Sequence, residues 1–441
     1  MMTAREAALL ALERCRRDGA WSGAAIDSIL KKQTIPPRDA ALASQLCIGV
    51  LQNSSLLDFY MDCFCKGKLE PKLRDILRLG AYQLLLLDKV PDHAAVSECV
   101  ELAKRQNLAR ASGLVNAVLR KLAANRDQLP QIPGQGSAGY LSIRTSHPLW
   151  LCEKLSEQRG YRFAEAFLLA NNETPSLDIQ VNRLKISSAD YQALLERQGI
   201  EFRTDAQLDG CLSLKGGRVT ELPGYAEGLF YVQDKAARCA VEIAGAAPGM
   251  RVLDLCAAPG GKSFSAAIAM RDQGSLIACD IHEKKLSRIR EGAERLGITG
   301  IVCQTNDASS YRRDWDSTFD LVIADVPCSG FGVIRKKPEI RGKRAEEIAG
   351  LPQIQYEILK TAARYVKPGG TLLYSTCTVL REENDAVVEQ FLTEHPAFSG
   401  TAFTVCGRHS ENGMFTFWPQ IDGTDGFFVF KGTLNQSPHA S

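Results

Sequence analysis

Two of the fourteen cysteines stand where a thiol can do chemistry. Cys328 follows Asp325-Val326-Pro327 and precedes Ser329-Gly330, and Cys377 closes the run Thr371-Leu372-Leu373-Tyr374-Ser375-Thr376. Both come where a buried strand ends among small and polar neighbours. Most cysteines are simply small buried hydrophobes. A thiolate held near amides and cations is instead a strong nucleophile. Acids share these strand ends: Asp254, Asp280, Asp307 and Asp325 terminate or closely follow successive apolar runs. A single Asp there is ordinarily a turn former or a cap. Asp280, Asp307 and Asp325 together are a stronger signal, for an adenosine-containing ligand. Asp280 lies 26 positions after Asp254, where an acid accepts hydrogen bonds from a ribose. Asp307 is placed to meet an adenine amino group, and Asp254 fixes the loop.

The fourth component is the turn Cys256-Ala257-Ala258-Pro259-Gly260-Gly261-Lys262, between the strand pattern of Val252–Leu255 and a helix from Ser263. Its small residues let a ligand lie against the backbone, and the helix N-terminus presents amides to it. Neither GxGxxG nor GxxxxGK[ST] is present. The expected ligand is therefore nucleotide-like without needing a pyrophosphate cradle.

These residues need a sheet whose strand ends gather on one edge. From Met250 onward the sequence supplies it, with strands at 252–256, 276–280, 301–305, 321–325 and 371–375. Helices alternate with them near 263–270, 284–296, 352–366 and 382–394. The pattern predicts a doubly wound, Rossmann-like α/β domain over 236–432. Met414–Trp418 and Gly426–Phe430 have no helix between them and read as an antiparallel hairpin at the sheet edge. Residues 1–125 carry only helical periodicity and predict an all-α bundle. Pro and Gly mark 126–146 as a linker, 147–235 reads as a small α+β module, and 433–441 as a disordered tail.

The net charge of +2 is unevenly spread: residues 1–143 hold 19 Lys and Arg against 14 Asp and Glu. A basic run, Arg335, Lys336, Lys337, Arg341, Lys343 and Arg344, follows the Cys328 loop. On charge alone it is a solvated loop, with a polyanion contact as the alternative. There is no CxxC pair, and the scattered His fit no metal site, so no metal is expected. The N-terminus resembles neither a signal nor a transit peptide, and no apolar run is long enough to span a membrane. A cytoplasmic, reducing setting is expected.

At this point the motifs resemble a known family. AAPGGK, DVPCSG, and STC followed by REENDAVV are similar to those of S-adenosylmethionine-dependent RNA cytosine-C5 methyltransferases, the RsmB/NOP family. ILRLGAYQLL, VPDHAAV and GLVNAVLR resemble the NusB-like domain of its bacterial RsmB (Sun/Fmu) branch. The resemblance runs from about residue 3 to 432 and implies a cytosine of 16S rRNA as target. It implies that Cys256, Ala257, Ala258, Pro259, Gly260, Gly261 and Lys262 line S-adenosyl-L-methionine. Asp280 would bind its ribose, Asp307 its adenine, and Asp325 both cofactor and base. It gives Cys377 as nucleophile and Cys328 as the release group, roles that spacing leaves open. Lys262 would favour the Cys377 thiolate or touch the base; otherwise it is a helix-start lysine. One departure is Gly342, where the family often has an aromatic after Pro338-Glu339-Ile340-Arg341.

The RNA grip is expected from the helical domain, the small module and the basic run, on free rRNA or an early assembly intermediate, by a monomer. Three rivals remain. One methylates a different atom of a base, one is a NusB-like rRNA-binding or assembly factor with an inert or weak methyltransferase domain, and one, an oxidoreductase, lacks GxGxxG.

Overall fold

Thr3 and Glu6 form a reciprocal capping box, and Gly19 takes a left-handed φ of +61°, so α1 runs over Ala4–Asp18. Helical spacing continues through α2 (Ser22–Lys32), α3 (Pro37–Gln52), α4 (Ser54–Phe64), α5 (Pro71–Leu86), α6 (Asp92–Arg105) and α7 (Ser112–Ala124). Proline opens α3 and α5, where its missing N–H is not needed. Leu9, Leu46, Leu57, Ile76, Leu77 and Leu119 are wholly buried in the shared core. The computed structural model describes residues 2–32 and 35–436.

The chain divides into two units, one of Met1–Glu173 with Ile334–Ala345, the other of Thr174–Val333 with Glu346–Ser441. The first also contains α8 (Ala138–Thr145), α9 (Leu149–Arg159) and α10 (Tyr161–Ala170). α8 lies inside the stretch expected as a linker. Ser137 accepts from the Tyr140 N–H and starts it, a cap hidden among the surrounding glycines. The unit boundary at 173/174 runs through the stretch read as one α+β module.

The expectation for the basic run is corrected. Residues 334–345 form a strap within the helical unit. Arg335 and Arg341 are buried, so for them neither a solvated loop nor an RNA-facing patch holds. Arg341 donates to the Gln52 carbonyl at 2.6 Å, the Asn171 carbonyl at 3.1 Å and Asn172 Oδ1 at 2.6 Å. Gln52 ends α3 and Asn171 caps α10, so the cation meets the negative ends of two helices. Burial pulls the Arg341 guanidinium down to about 9. The Lys337 ammonium lies 4.6 Å from the centre of the Trp21 ring. A run of like charge in sequence has become an internal tie.

In the second unit, β1 (Leu177–Val181), β2 (Phe202–Thr204), β3 (Cys211–Leu214) and β4 (Phe230–Val232) form an antiparallel sheet in the order β2-β3-β1-β4. α11 (Ser188–Arg197) follows β1 and α12 (Lys235–Ala244) follows β4. β2 and β3 are too short to show a period in sequence. The principal sheet contains β5 (Arg251–Asp254), β6 (Ser275–Asp280), β7 (Ile301–Thr305), β8 (Phe319–Asp325), β9 (Val366–Thr376), β10 (Phe398–Gly400), β13 (Met414–Phe417) and β14 (Phe427–Leu434). β11 (Phe403–Val405) and β12 (Arg408–Ser410) make a separate hairpin.

The sheet order is β10-β14-β9-β8-β5-β6-β7. β5 to β9 are mutually parallel, and β14 runs antiparallel to β9 and pairs with β13, the expected hairpin. α13 (Gly261–Ala269), α14 (Glu283–Leu296), α15 (Leu351–Tyr365) and α16 (Asp385–Glu394) complete the layers. Alternate strand residues enter opposite cores: Val252, Leu321, Ile323 and Leu373 one, Leu253, Val322, Leu372 and Tyr374 the other. Burial on both faces explains the unbroken apolar runs. β14 continues to Leu434, paired with Phe398, so the expected disorder fails at 433–434; residues 437–441 lie outside the described residues. Strand order reverses between β5 and β8, and at such a switch point an α/β sheet opens a crevice at its carboxyl ends.

Candidate active site

β5 delivers the small-residue turn to that crevice. The Ala257 N–H donates to the Cys279 carbonyl at 2.7 Å, and the Gly260 N–H to the Ala257 carbonyl at 2.7 Å. Gly260 has φ +114°, and a Cβ there would strike the Phe264 ring, so glycine is required. The Ser263 hydroxyl donates to Asp254 at 2.6 Å, tying the start of α13 to the end of β5. Burial pushes the Asp254 carboxyl up to about 7, against the Ser263 hydrogen bond that favours its ion. Burial also raises the Cys256 thiol.

The acids fall at the ends of neighbouring strands but differ in surroundings. Asp280 closes β6, is buried, accepts from the His282 N–H at 2.9 Å and lies 3.6 Å from Lys285. Asp307 follows β7 and is exposed. It accepts from the Ser309 hydroxyl at 2.7 Å and amide at 3.0 Å, which hold it below the usual carboxylate range. Asp325 closes β8, where Lys262 reaches its Oδ2 at 2.6 Å and the Ser375 hydroxyl its Oδ1 at 2.8 Å. The Lys262 ammonium also sits 4.9 Å from the centre of the Phe427 ring. Lys262 is therefore not a solvated helix-start lysine.

The two singled-out cysteines meet: Cys328 and Cys377 sulfurs are 3.2 Å apart, although 49 residues separate them. The hydrogen bond with Cys377, then burial, raises the Cys328 thiol well above its ordinary range, so it stays protonated. The Cys377 carbonyl accepts from the Gly332 N–H at 3.0 Å, and a Cβ on Gly332 would strike that carbonyl and Gly426. Ser263, Ser375, Phe427, Gly332 and Glu383 were not expected from the residues. Glu383 lies in the REENDAVV motif, which carried resemblance but no assigned role. The arrangement offers a thiol pair, a carboxylate–ammonium pair and a side-chain-poor turn at one switch point. That suits nucleophilic addition beside an adenosine-type ligand.

Comparison with known proteins agrees across nearly the whole length. Residues 245–432 match the family described as 16S rRNA methyltransferase RsmB/F. Residues 2–124 match the NusB family, and 147–220 the ferredoxin-like domain of RsmF/B-like methyltransferases. The chain is 34% identical to the probable ribosomal RNA small subunit methyltransferase B of Bacillus subtilis, over 96% of this chain and 97% of that protein. It is 37% identical to the ribosomal RNA small subunit methyltransferase B of Vibrio cholerae, over 83% and 84%. The crystal structure of PH0851 superposes with a TM-score of 0.83 at 26% identity, covering 98% of both chains. The helical bundle is NusB-like and the principal sheet a Rossmann-like methyltransferase domain.

Proposed function

The chain belongs to the RsmB/F family of ribosomal RNA small subunit methyltransferases, and from that premise we propose that it methylates C5 of a cytosine in 16S rRNA through a covalent Cys377–C6 adduct. The observation that carries this reading is the Cys328–Cys377 pair, 3.2 Å apart, beside Asp325 and Lys262 at the switch point. The turn fits S-adenosyl-L-methionine: Ala257, Ala258, Gly260 and Gly261 put little side chain in the way, Asp280 ends β6 and Asp307 follows β7, the two strands beyond β5. When bound, that cofactor supplies an electrophilic methyl group.

C5 of cytosine is a poor nucleophile. Bond formation between the Cys377 thiolate and C6 makes C5 enamine-like and splits one difficult step into easier ones. Protonated, or through a bound water, Asp325 hydrogen-bonds N3 and stabilises the charge arriving on the ring, while Lys262 and Ser375 hold it in place. After methyl transfer a water takes the C5 proton, the C5–H electron pair re-forms the C5–C6 double bond, the C6–S bond breaks, and its electron pair returns to Cys377. The protonated Cys328 donates a hydrogen bond to that departing sulfur. The target base leaves its stack to meet both partners. Residues 1–125 and 147–235 are assigned to holding the RNA, by a monomer acting on free rRNA or an early assembly intermediate in the cytoplasm.

Incubation with 16S rRNA and the methyl donor, followed by a denaturing gel, tests the assignment. Cys377→Ala should abolish methylation and adduct; Cys328→Ala should let the adduct accumulate. An adduct that persists without Cys377 and vanishes without Cys328 overturns it. Bisulfite sequencing of the product identifies the cytosine.

A further inference from the structure

We infer that Glu383 is the positioning residue that holds the Cys328 and Cys377 loops together and so sets the distance between their thiols. The inference rests on the reading of those thiols as nucleophile and release group. Glu383 is 2% exposed, and ionised carboxylates are costly to bury unless donors surround them. Its Oε2 accepts from the Ser329 N–H at 2.8 Å and from Gln355 Nε2 at 2.8 Å. The same Gln355 amide donates to the Pro327 carbonyl at 3.0 Å, so both neighbours of Cys328 are held. Oε1 accepts from the Thr378 hydroxyl at 3.4 Å, next to Cys377. Ser329 and Thr378 hydroxyls close the bridge at 2.8 Å. The Tyr374 hydroxyl donates to the Glu383 carbonyl at 2.6 Å, anchoring the backbone to β9. Asn384 holds the other side, accepting from Thr376 at 2.6 Å and donating to the Thr378 carbonyl at 3.1 Å. One carboxylate thus spans two loops that have no neighbouring residues in sequence. Charge-assisted acceptors hold amides more tightly than neutral ones. Glutamine at this position would turn one acceptor oxygen into a donor, opposing the donors already there, at nearly constant volume.

The test uses the full chain without RNA or methyl donor. Dibromobimane bridges two nearby thiols, each losing a proton and displacing one bromide. Peptide mapping then gives the yield of linked Cys328–Cys377 relative to linked Cys239–Cys406, a second close pair whose sulfurs are 2.9 Å apart and which reports intact folding. Glu383→Gln should lower that ratio at least tenfold, leaving the Cys239–Cys406 yield unchanged. In turnover, kcat should fall about a hundredfold, the order expected for misplaced reacting groups, with KM for the methyl donor within twofold. An unchanged ratio, or a loss confined to KM, overturns the inference. Should Glu383→Gln lose both linked pairs, Thr378→Val decides: a partial fall in the ratio supports the bridge and full retention overturns it. Because the cross-link needs neither substrate, its outcome is separable from the C5 reading. A Cys377→Ala protein that still methylates would sink that reading and leave the bridge standing.

Discussion

The sheet unit holds two cysteine pairs at nearly equal separation, and only one lies at the switch point of the principal sheet. Cys328 and Cys377 end β8 and β9 territory beside Asp325 and Lys262. Cys239 on α12 and Cys406 in the β11–β12 turn meet at 2.9 Å beside a 290 Å³ cavity lined by Asp205, Lys235 and Arg408. The hydrogen bond from Cys239 lowers the Cys406 thiol against the effect of burial, and Lys235 adds to it. Yet it lies at the β11–β12 hairpin, away from the switch point of the principal sheet. Thiol activation alone does not make a catalytic centre; the elements that bring a ligand to the sulfur decide.

The comparison can be broken at several points. The largest effect is expected at Cys377: alanine there should abolish methyl transfer, measured with a labelled donor, and retained turnover would erase the distinction between the pairs. Lys262→Met should lower the rate about a hundredfold, with Lys262→Arg recovering part of it, because the Asp325 carboxylate loses its cation. A rate within twofold of wild type would remove Lys262 from the site. In iodoacetamide labelling at pH 7, followed by mass spectrometry, Cys406 should react faster than Cys328, in keeping with its lowered and the other's raised thiol. The reverse order would show that ligand access, not thiolate character, governs both.

The acids sharpen the same contrast. Burial would raise Asp205, but Lys235 outweighs it and holds the carboxyl below its usual range. Asp254 has burial ahead of its partners and sits near 7. Its folded pKa is raised, so the protonated form stabilises the fold. That contribution is complete below about pH 4 and is lost as the pH rises through about 7. Asp254→Asn should therefore gain about 2–3 kcal/mol on wild type between pH 5 and pH 8 in urea melts without cofactor. A pH-independent difference would mean that Asp254 is ionised throughout. The smallest effect is expected from Cys406→Ala, which should leave turnover within twofold and cost about 1 kcal/mol.

Much of the site was readable because its signals are local. The AAPGGK turn follows its strand directly, and Asp280 and Asp325 end their own apolar runs, so strand, turn and helix start are encoded by adjacent residues. The same holds for the helices of the first unit. Other features lay beyond reach. Glu383 reads as one charge of several in Arg381-Glu382-Glu383-Asn384, and nothing local says that it points inward while Arg381 and Glu382 stay exposed. The basic run looked solvated because six cations in ten residues give no sign of which will find carbonyls.

The sequence by itself determined the doubly wound sheet, the helical bundle, the turn and the list of reactive side chains. Each depends on spacing within a strand, a helix or a loop, where backbone geometry converts order into direction. Only the tertiary structure decided which side chains meet. It brought Cys328 to Cys377 across 49 residues and Cys239 to Cys406 across 167. It also sank Arg341 between the ends of two helices and put Glu383 between two thiol loops. Such contacts require chain closure and the exclusion of water. Their sign and strength follow from what is buried beside them, which no local pattern records.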